Sequence, residues 1–199
     1  MDWQNGPGLG HDSQRRGPER RSEPAGGIPT SLLEALAADR GGEIESAAAQ
    51  YEKALAAGDV SLQVLLNLAL LYWQATDVGL AAAKKLSPHF LATAGRRFPE
   101  LIEEARRRFP ESTEVRFWKR YIAWADLGEN LDNDECRRLL QEDPAALAPA
   151  MHLFAASQGH EAKAEAHELL RRCRDDGTTG ARYVASVIEG VIKRAGYRR

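Results

Sequence analysis

The sequence predicts an all-α chain: an α-solenoid of antiparallel helical hairpins, built from roughly ten or eleven short helices and ended by a C-terminal capping helix. Three observations carry this prediction. No segment alternates apolar and polar residues over the length of a strand. From Ser31 onward, capping residues, helix-starting prolines and glycine stops recur at short intervals. Finally, the stretch "SLQVLLNLALLYW", residues 61–73, has almost no polar face, so the helix it forms must be covered on several sides, as in the middle of a stack.

Composition limits the rest. A chain of 199 residues can bury a core without metal or disulfide support. Lys plus Arg (27) nearly balances Asp plus Glu (29), so any pull toward nucleic acid or an anionic membrane must be local. Cys136 and Cys173 are too few for a disulfide framework and match no zinc spacing, which predicts two reduced thiols in a reducing compartment. The N-terminus has no secretory apolar core and carries acids that transit peptides avoid, so a cytoplasmic location is expected. The apolar run from Leu62 to Trp73 falls short of the ~20 residues of a membrane span and is bounded by Asp59 and Asp77.

Residues 1–29, rich in Gly, Pro and Arg, hold too little apolar surface to offset ordering and are expected to be a disordered tail. The helical domain covers 30–195. "SLLE" reads as a capping box of Ser31 and Glu34, opening a helix over 32–39 that Gly41-Gly42 stops. A second helix carries Ile44, Ala47, Ala48, Tyr51 and Leu55 on one face and closes at Gly58; the apolar helix follows from Leu62, capped by Asp59 or Ser61. Further starts are set by Asp77, Ser87-Pro88, Pro99, Ser112, Asp132, Pro149 and Thr178 or Thr179, and stops by Gly128, Gly159 and Gly177. The helix from Thr113 has two apolar faces, Val115/Trp118/Ile122/Ala125 and Phe117/Tyr121/Trp124, which implies two neighbours. The last helix, 180–194, keeps Arg182, Glu189 and Lys193 for solvent, as a cap would, before a basic tail at 196–199.

Internal echoes support a repeat architecture. "LGENLDNDECRRLLQEDP" and "QGHEAKAEAHELLRRCRDDG" align Gly128 with Gly159 and Leu139-Leu140 with Leu169-Leu170, and "GGEIESAAAQYEKALAAGD" has the same cadence. "NLALLYW" with "LAAAKKLSP", and "AAAQYEKALAAGD", resemble the two helices of a tetratricopeptide repeat. Leu68, Ala69 and Tyr72 stand in the first-helix pattern, and Ala48 and Ala54-Leu55 in the second. Ala81 and Ala162 could take the small-residue role in later repeats. The resemblance covers roughly residues 31–195, with degenerate repeats; no repeat carries the full pattern, and residues 75–112 depart most. It implies an adaptor, scaffold or co-chaperone role. One subgroup of the family grips C-terminal carboxylates with an Asn and lysines; Asn67 matches the Asn, but Leu70 and Gln74 stand where further polar contacts would be needed.

Catalytic chemistry finds no foothold. His160 and His167, read as one helix, lie ~10 Å apart along it, too far to share a metal ion. The "HDS" of residues 11–13 and the "GPGLG" before it sit in the tail without a scaffold, strand or helix to serve them. Glu103-Glu104 and Asp175-Asp176 read as solvated acids.

No enzyme, no metal and no cofactor are therefore expected. The expected function is a protein-protein interaction module that binds a peptide or protein segment in a concave groove, with Asn67, Gln74, Arg116, Lys119 and Arg120 as partner-binding candidates. The alternative is a helical-repeat nucleic-acid binder using the basic window 96–120, where Arg96-Arg97, Arg106-Arg107-Arg108 and Arg116/Lys119/Arg120 stand beside Phe98, Phe109, Phe117 and Trp118. Glu103 and Glu104 sit four residues before Arg107 and Arg108, the spacing of helix ion pairs, which predicts that the window is neutralised.

Overall fold

The computed structural model describes residues 30–196. The 1–29 tail, with its "HDS" and "GPGLG", lies outside them, as do residues 197–199. The described residues form ten α-helices and no strand: α1 Thr30–Gly41, α2 Ile44–Ala56, α3 Leu62–Ala75, α4 Val78–Lys84, α5 Pro88–Arg108, α6 Thr113–Leu127, α7 Asn133–Glu142, α8 Ala148–Ala156, α9 Lys163–Asp176 and α10 Thr179–Gly196. No single helix among them is long and apolar enough to cross a membrane.

Most boundaries follow local chemistry. The side chains of Ser61, Asp77, Ser87, Ser112 and Asp132 each accept an amide N–H from the first turn of the helix they precede. Gly128 and Gly177 end α6 and α9 in the left-handed conformation that a side chain would resist. Two expectations need correction. Helix α1 already begins at Thr30, so Ser31 lies inside the helix and not at its cap. Pro99 does not start a helix; it lies within α5. A proline inside a helix costs about 3 kcal/mol. The buried stripe of Phe90, Ala94, Leu101, Ile102 and Ala105 keeps helical spacing across it and packs on α3; at about 1.5–3 kcal/mol for each large side chain, that burial outweighs the break.

Packing explains the apolar helix. α1 lies on α2, and α3 is flanked by α2 and α5, while α7, α8 and α9 pack in succession and α6 meets α5, α7 and α8. The third neighbour of α3 is α10, so the buried residues from Val64 to Ala75 include nearly every position of the helix. α4 leaves α3 at a 91° bend and buries none of its own residues.

Helix α10 keeps the exposed face expected of it, with Arg182 and Lys193 at the surface, but reaches beyond the preceding helices. It packs on α9 and α8, crosses to α3, and reaches α1 and α6. Its anchor is Asp39, a carboxylate at the end of α1 whose residue is only 1% exposed. Asp39 accepts hydrogen bonds from the Thr179 backbone N–H (2.8 Å), the Thr179 hydroxyl (2.6 Å) and the Tyr51 hydroxyl (3.2 Å). Arg182 is exposed, as expected, and also donates to the carbonyls of Asp39 (2.9 Å), Arg40 (3.2 Å) and Gly177 (2.6 Å).

A carboxylate needs such donors to be tolerated in the interior. Even so, burial raises the Asp39 pKa above its ordinary value, against the lowering effect of Thr179, Tyr51 and Arg182. The folded chain thus holds this proton to higher pH than the unfolded chain. The contribution of Asp39 to stability is fullest below its unfolded pKa and declines as pH rises through its folded one.

Asp39→Ala would leave the Thr179 and Tyr51 donors buried without partners. It is expected to cost about 3 kcal/mol of unfolding free energy, read by urea denaturation; a loss within experimental error would show that α10 does not depend on this carboxylate.

Candidate interaction site

The first surface to consider is the one that α10 covers. Along its length α10 meets α1 through Thr179 and Arg182, α3 through Gly180 and Tyr183, α6 through Tyr183, and α8 near its far end. Small residues make this approach possible. A methyl group on Gly180 would stand 2.9 Å from Leu70 Cδ1 and 3.2 Å from Leu70 Cβ, so the α10 backbone rests directly on α3. Tyr183 then stacks edge-on against Trp73, with ring centroids 5.0 Å apart, and shares a 2.7 Å hydrogen bond with the Tyr121 hydroxyl. Val184, Ile188 and Val191 are buried along the rest of the helix.

Two openings border α10. The smaller, about 250 Å³, lies where Asn67 and Leu70 of α3, Glu114 and Trp118 of α6, the 145–148 segment, Leu169, Arg172, Cys173 and Asp176 of α9, and Thr178, Gly180, Ala181 and Val184 meet. The larger, about 620 Å³, lies at the other end of α10, between Phe154, Gly159, His160, Lys163, His167, Val191 and Arg194. His160 stands in the turn before α9 and His167 within α9, so the two are not on one helix, although both border this opening. Among the described residues, no group of three or more His, Cys, Asp or Glu side chains could hold a metal ion.

The predicted partner-binding residues fall in different places. Asn67 is half-buried at the smaller opening and donates its amide N–H to Tyr51 Oη (3.2 Å), extending the Asp39 network to α3. Gln74 is half-buried on the last turn of α3. Arg116 pairs with Glu142 (2.5 Å), Lys119 with Glu103 (2.5 Å), and Arg120 with Glu129 (3.1 Å) and Glu135 (3.4 Å), so these three join α6 to α5, α7 and the loop between α6 and α7. They do not converge with Asn67.

The rest of the basic window is also paired, in part with other partners than the predicted spacing gives. Arg96 and Arg97 meet Glu100, and Arg97 also meets Glu52. Arg106 meets Glu103, and Arg107 and Arg108 share Glu104. Phe117 and Trp118 are buried and Phe98 and Phe109 half-buried, packed in the core. Cys136 and Cys173 are buried free thiols, their pKa values pushed up to about 12 and about 11, chiefly by burial.

No known protein family, curated protein or solved structure matches this chain. The case for function therefore rests on the chain's own geometry.

Sequence reasoning missed Glu114 and Trp118 as parts of a cleft and Asp39 as a buried group. An acid in the first turn of a helix, or before a glycine stop, has the pattern of an ordinary surface residue. Only the path of α10 sets these residues apart.

Gly180→Ala forces α10 away from Leu70. It is expected to lower stability by about 1–3 kcal/mol and to shift the Trp73 indole resonance, read by urea denaturation and NMR. An unchanged Trp73 signal with unchanged stability would mean that α10 is not in close contact with α3.

Proposed function

We propose that the chain is a non-catalytic protein-protein interaction module of the tetratricopeptide-like kind, an adaptor or scaffold that grips a peptide or protein segment on the side its alternate helices share. The observation that carries this reading is the seat of α10: it packs on α9 and also crosses α3 and α8, touching α1 through Thr179 and α6 through Tyr183, and α1, α3, α6 and α8 are the first members of the successive pairs read from the sequence. A side that accepts one helix along its length has the shape and apolarity that such modules offer to partners. With α10 in place, the partner's access is through the two openings beside it, and Asn67 borders the smaller one. The buried free thiols suit a reducing, cytoplasmic setting.

The basic window offers the nucleic-acid alternative little support. Each of its basic side chains already faces a carboxylate, and the aromatics that would stack on bases are in the core. Phosphates would have to displace those carboxylates to bind.

A display selection of random peptides against the full-length protein, followed by photo-cross-linking of the selected peptides, tests the module reading. Cross-links should fall on α3, α6, α9 and α10 around the openings, and single-stranded RNA and duplex DNA should give no anisotropy change at low salt. Cross-links confined to α2, α5 and α7, or nucleic-acid binding lost on adding salt, would contradict it.

A further inference from the structure

The larger opening is walled by the end of α8, the turn before α9 and the last turns of α10. Gly159, at φ +93°, seats that turn on its neighbours: a methyl group there would stand 3.4 Å from Val191 Cγ1 and 3.5 Å from Phe154 Cζ. Phe154 and Val191 are buried in the wall, and Ile192, 37% exposed, adds apolar surface that water still reaches. At about 620 Å³ the space suits a small organic molecule.

The charge around this apolar wall has one sign. Among the described residues that line it, every ionisable side chain is basic: His160, Lys163, His167 and Arg194. The nearest acids in sequence are turned elsewhere. Glu161 faces Arg137 of α7 with both oxygens (2.5 and 2.9 Å), and Glu189 of α10 faces Arg174 of α9 (2.7 Å). Lys163 and His167 have the spacing of one helix face, and Glu165 between them does not share it. The His167 ring lies beside Phe154, with centroids 6.0 Å apart, so cationic and apolar groups adjoin.

The second observation concerns the state of these cations. Lys163 and Arg194 form no ion pair and no side-chain hydrogen bond among the described residues, in contrast to Arg97, Arg116, Arg120, Arg137 and Arg171. Lys163 is moreover the first residue of α9, where the helix presents its positive end and a cation is disfavoured. Ala162, which precedes it, has no side-chain oxygen to meet the free amides of the first turn. An anion seated here would relieve both.

We infer that this opening binds a single-chain anionic amphiphile, a carboxylate or phosphate head on a hydrocarbon body. The head lies against Lys163 and Arg194, and the hydrocarbon rests on Phe154, Val191 and Ile192. A peptide or a nucleotide would bring N–H donors with its charge, for which Lys163 and Arg194 carry no acceptor; a carboxylate or phosphate on hydrocarbon brings acceptors only. The inference goes beyond the interaction-module reading and stands or falls separately from it.

The test is a titration of the full-length protein with decanoate and decyl phosphate below their micelle-forming concentrations, followed by NMR through the Gly159 amide and Ile192 methyl resonances. Acetate supplies the charge alone, decanol the hydrocarbon alone, and decyltrimethylammonium the opposite charge. Decanoate or decyl phosphate should shift both resonances saturably, the tighter of the two naming the head, and the three controls should not. The double variant Lys163→Gln/Arg194→Gln, at exposed positions and checked by a thermal melt, should weaken binding by about tenfold or more. No saturable shift, equal shifts with decanol or decyltrimethylammonium, or undiminished binding by the double variant would overturn the inference. So would binding to vesicles of anionic phospholipid without binding of the monomeric amphiphiles, or tighter binding of an acetylated Asp-Leu-Glu amide than of decanoate; the latter would leave the module reading in place.

Discussion

A carboxylate placed in a protein interior must be met by donors or it is expelled. Asp39 meets that requirement only because a helix from the far end of the chain comes to it. The Thr179 amide is among the first N–H groups of α10, which have no partner within their own helix, and the Thr179 hydroxyl stands beside it. Tyr51 and Asn67 continue the line into α2 and α3. One buried charge thus links four helices and fixes where α10 starts. From that start, the direct rest of Gly180 on Leu70 and the stacking of Tyr183 on Trp73 follow.

The position of α10 governs both core and site. It supplies the third wall around α3, which is why that helix can be apolar on every side. It also lies across α3, α8 and α9, and two clefts border it. The small cleft beside its first turns is walled by Asn67 and Leu70 of α3, Glu114 and Trp118 of α6, and Cys173 and Asp176 of α9.

Much of the helical architecture was legible. Ser61, Asp77, Ser87, Ser112 and Asp132 cap the helices they were expected to start, because an N-cap is a contact within a few residues and local sequence contains all its parts. Pro99 was misread for the converse reason: its local preference is to start a helix, and the packing of Phe90, Leu101 and Ile102 on α3 that overrides it is tertiary. The pairing of acids with the basic window was foreseeable, but partners such as Glu52 for Arg97 and Glu142 for Arg116 come from other helices. The contact of Asp39 and Arg182 was not legible, since no periodic pattern announces a meeting of α1 and α10.

The central claim is that the start of α10 is locked into the interior by Asp39. Amide hydrogen exchange at Thr179 tests it most directly, since an N–H in the first turn of a helix ordinarily exchanges fast for want of an intrahelical partner. The account predicts that the Thr179 amide exchanges only with global unfolding, as slowly as the Leu68 amide in α3. Rapid exchange at Thr179 while Leu68 stays protected would contradict it.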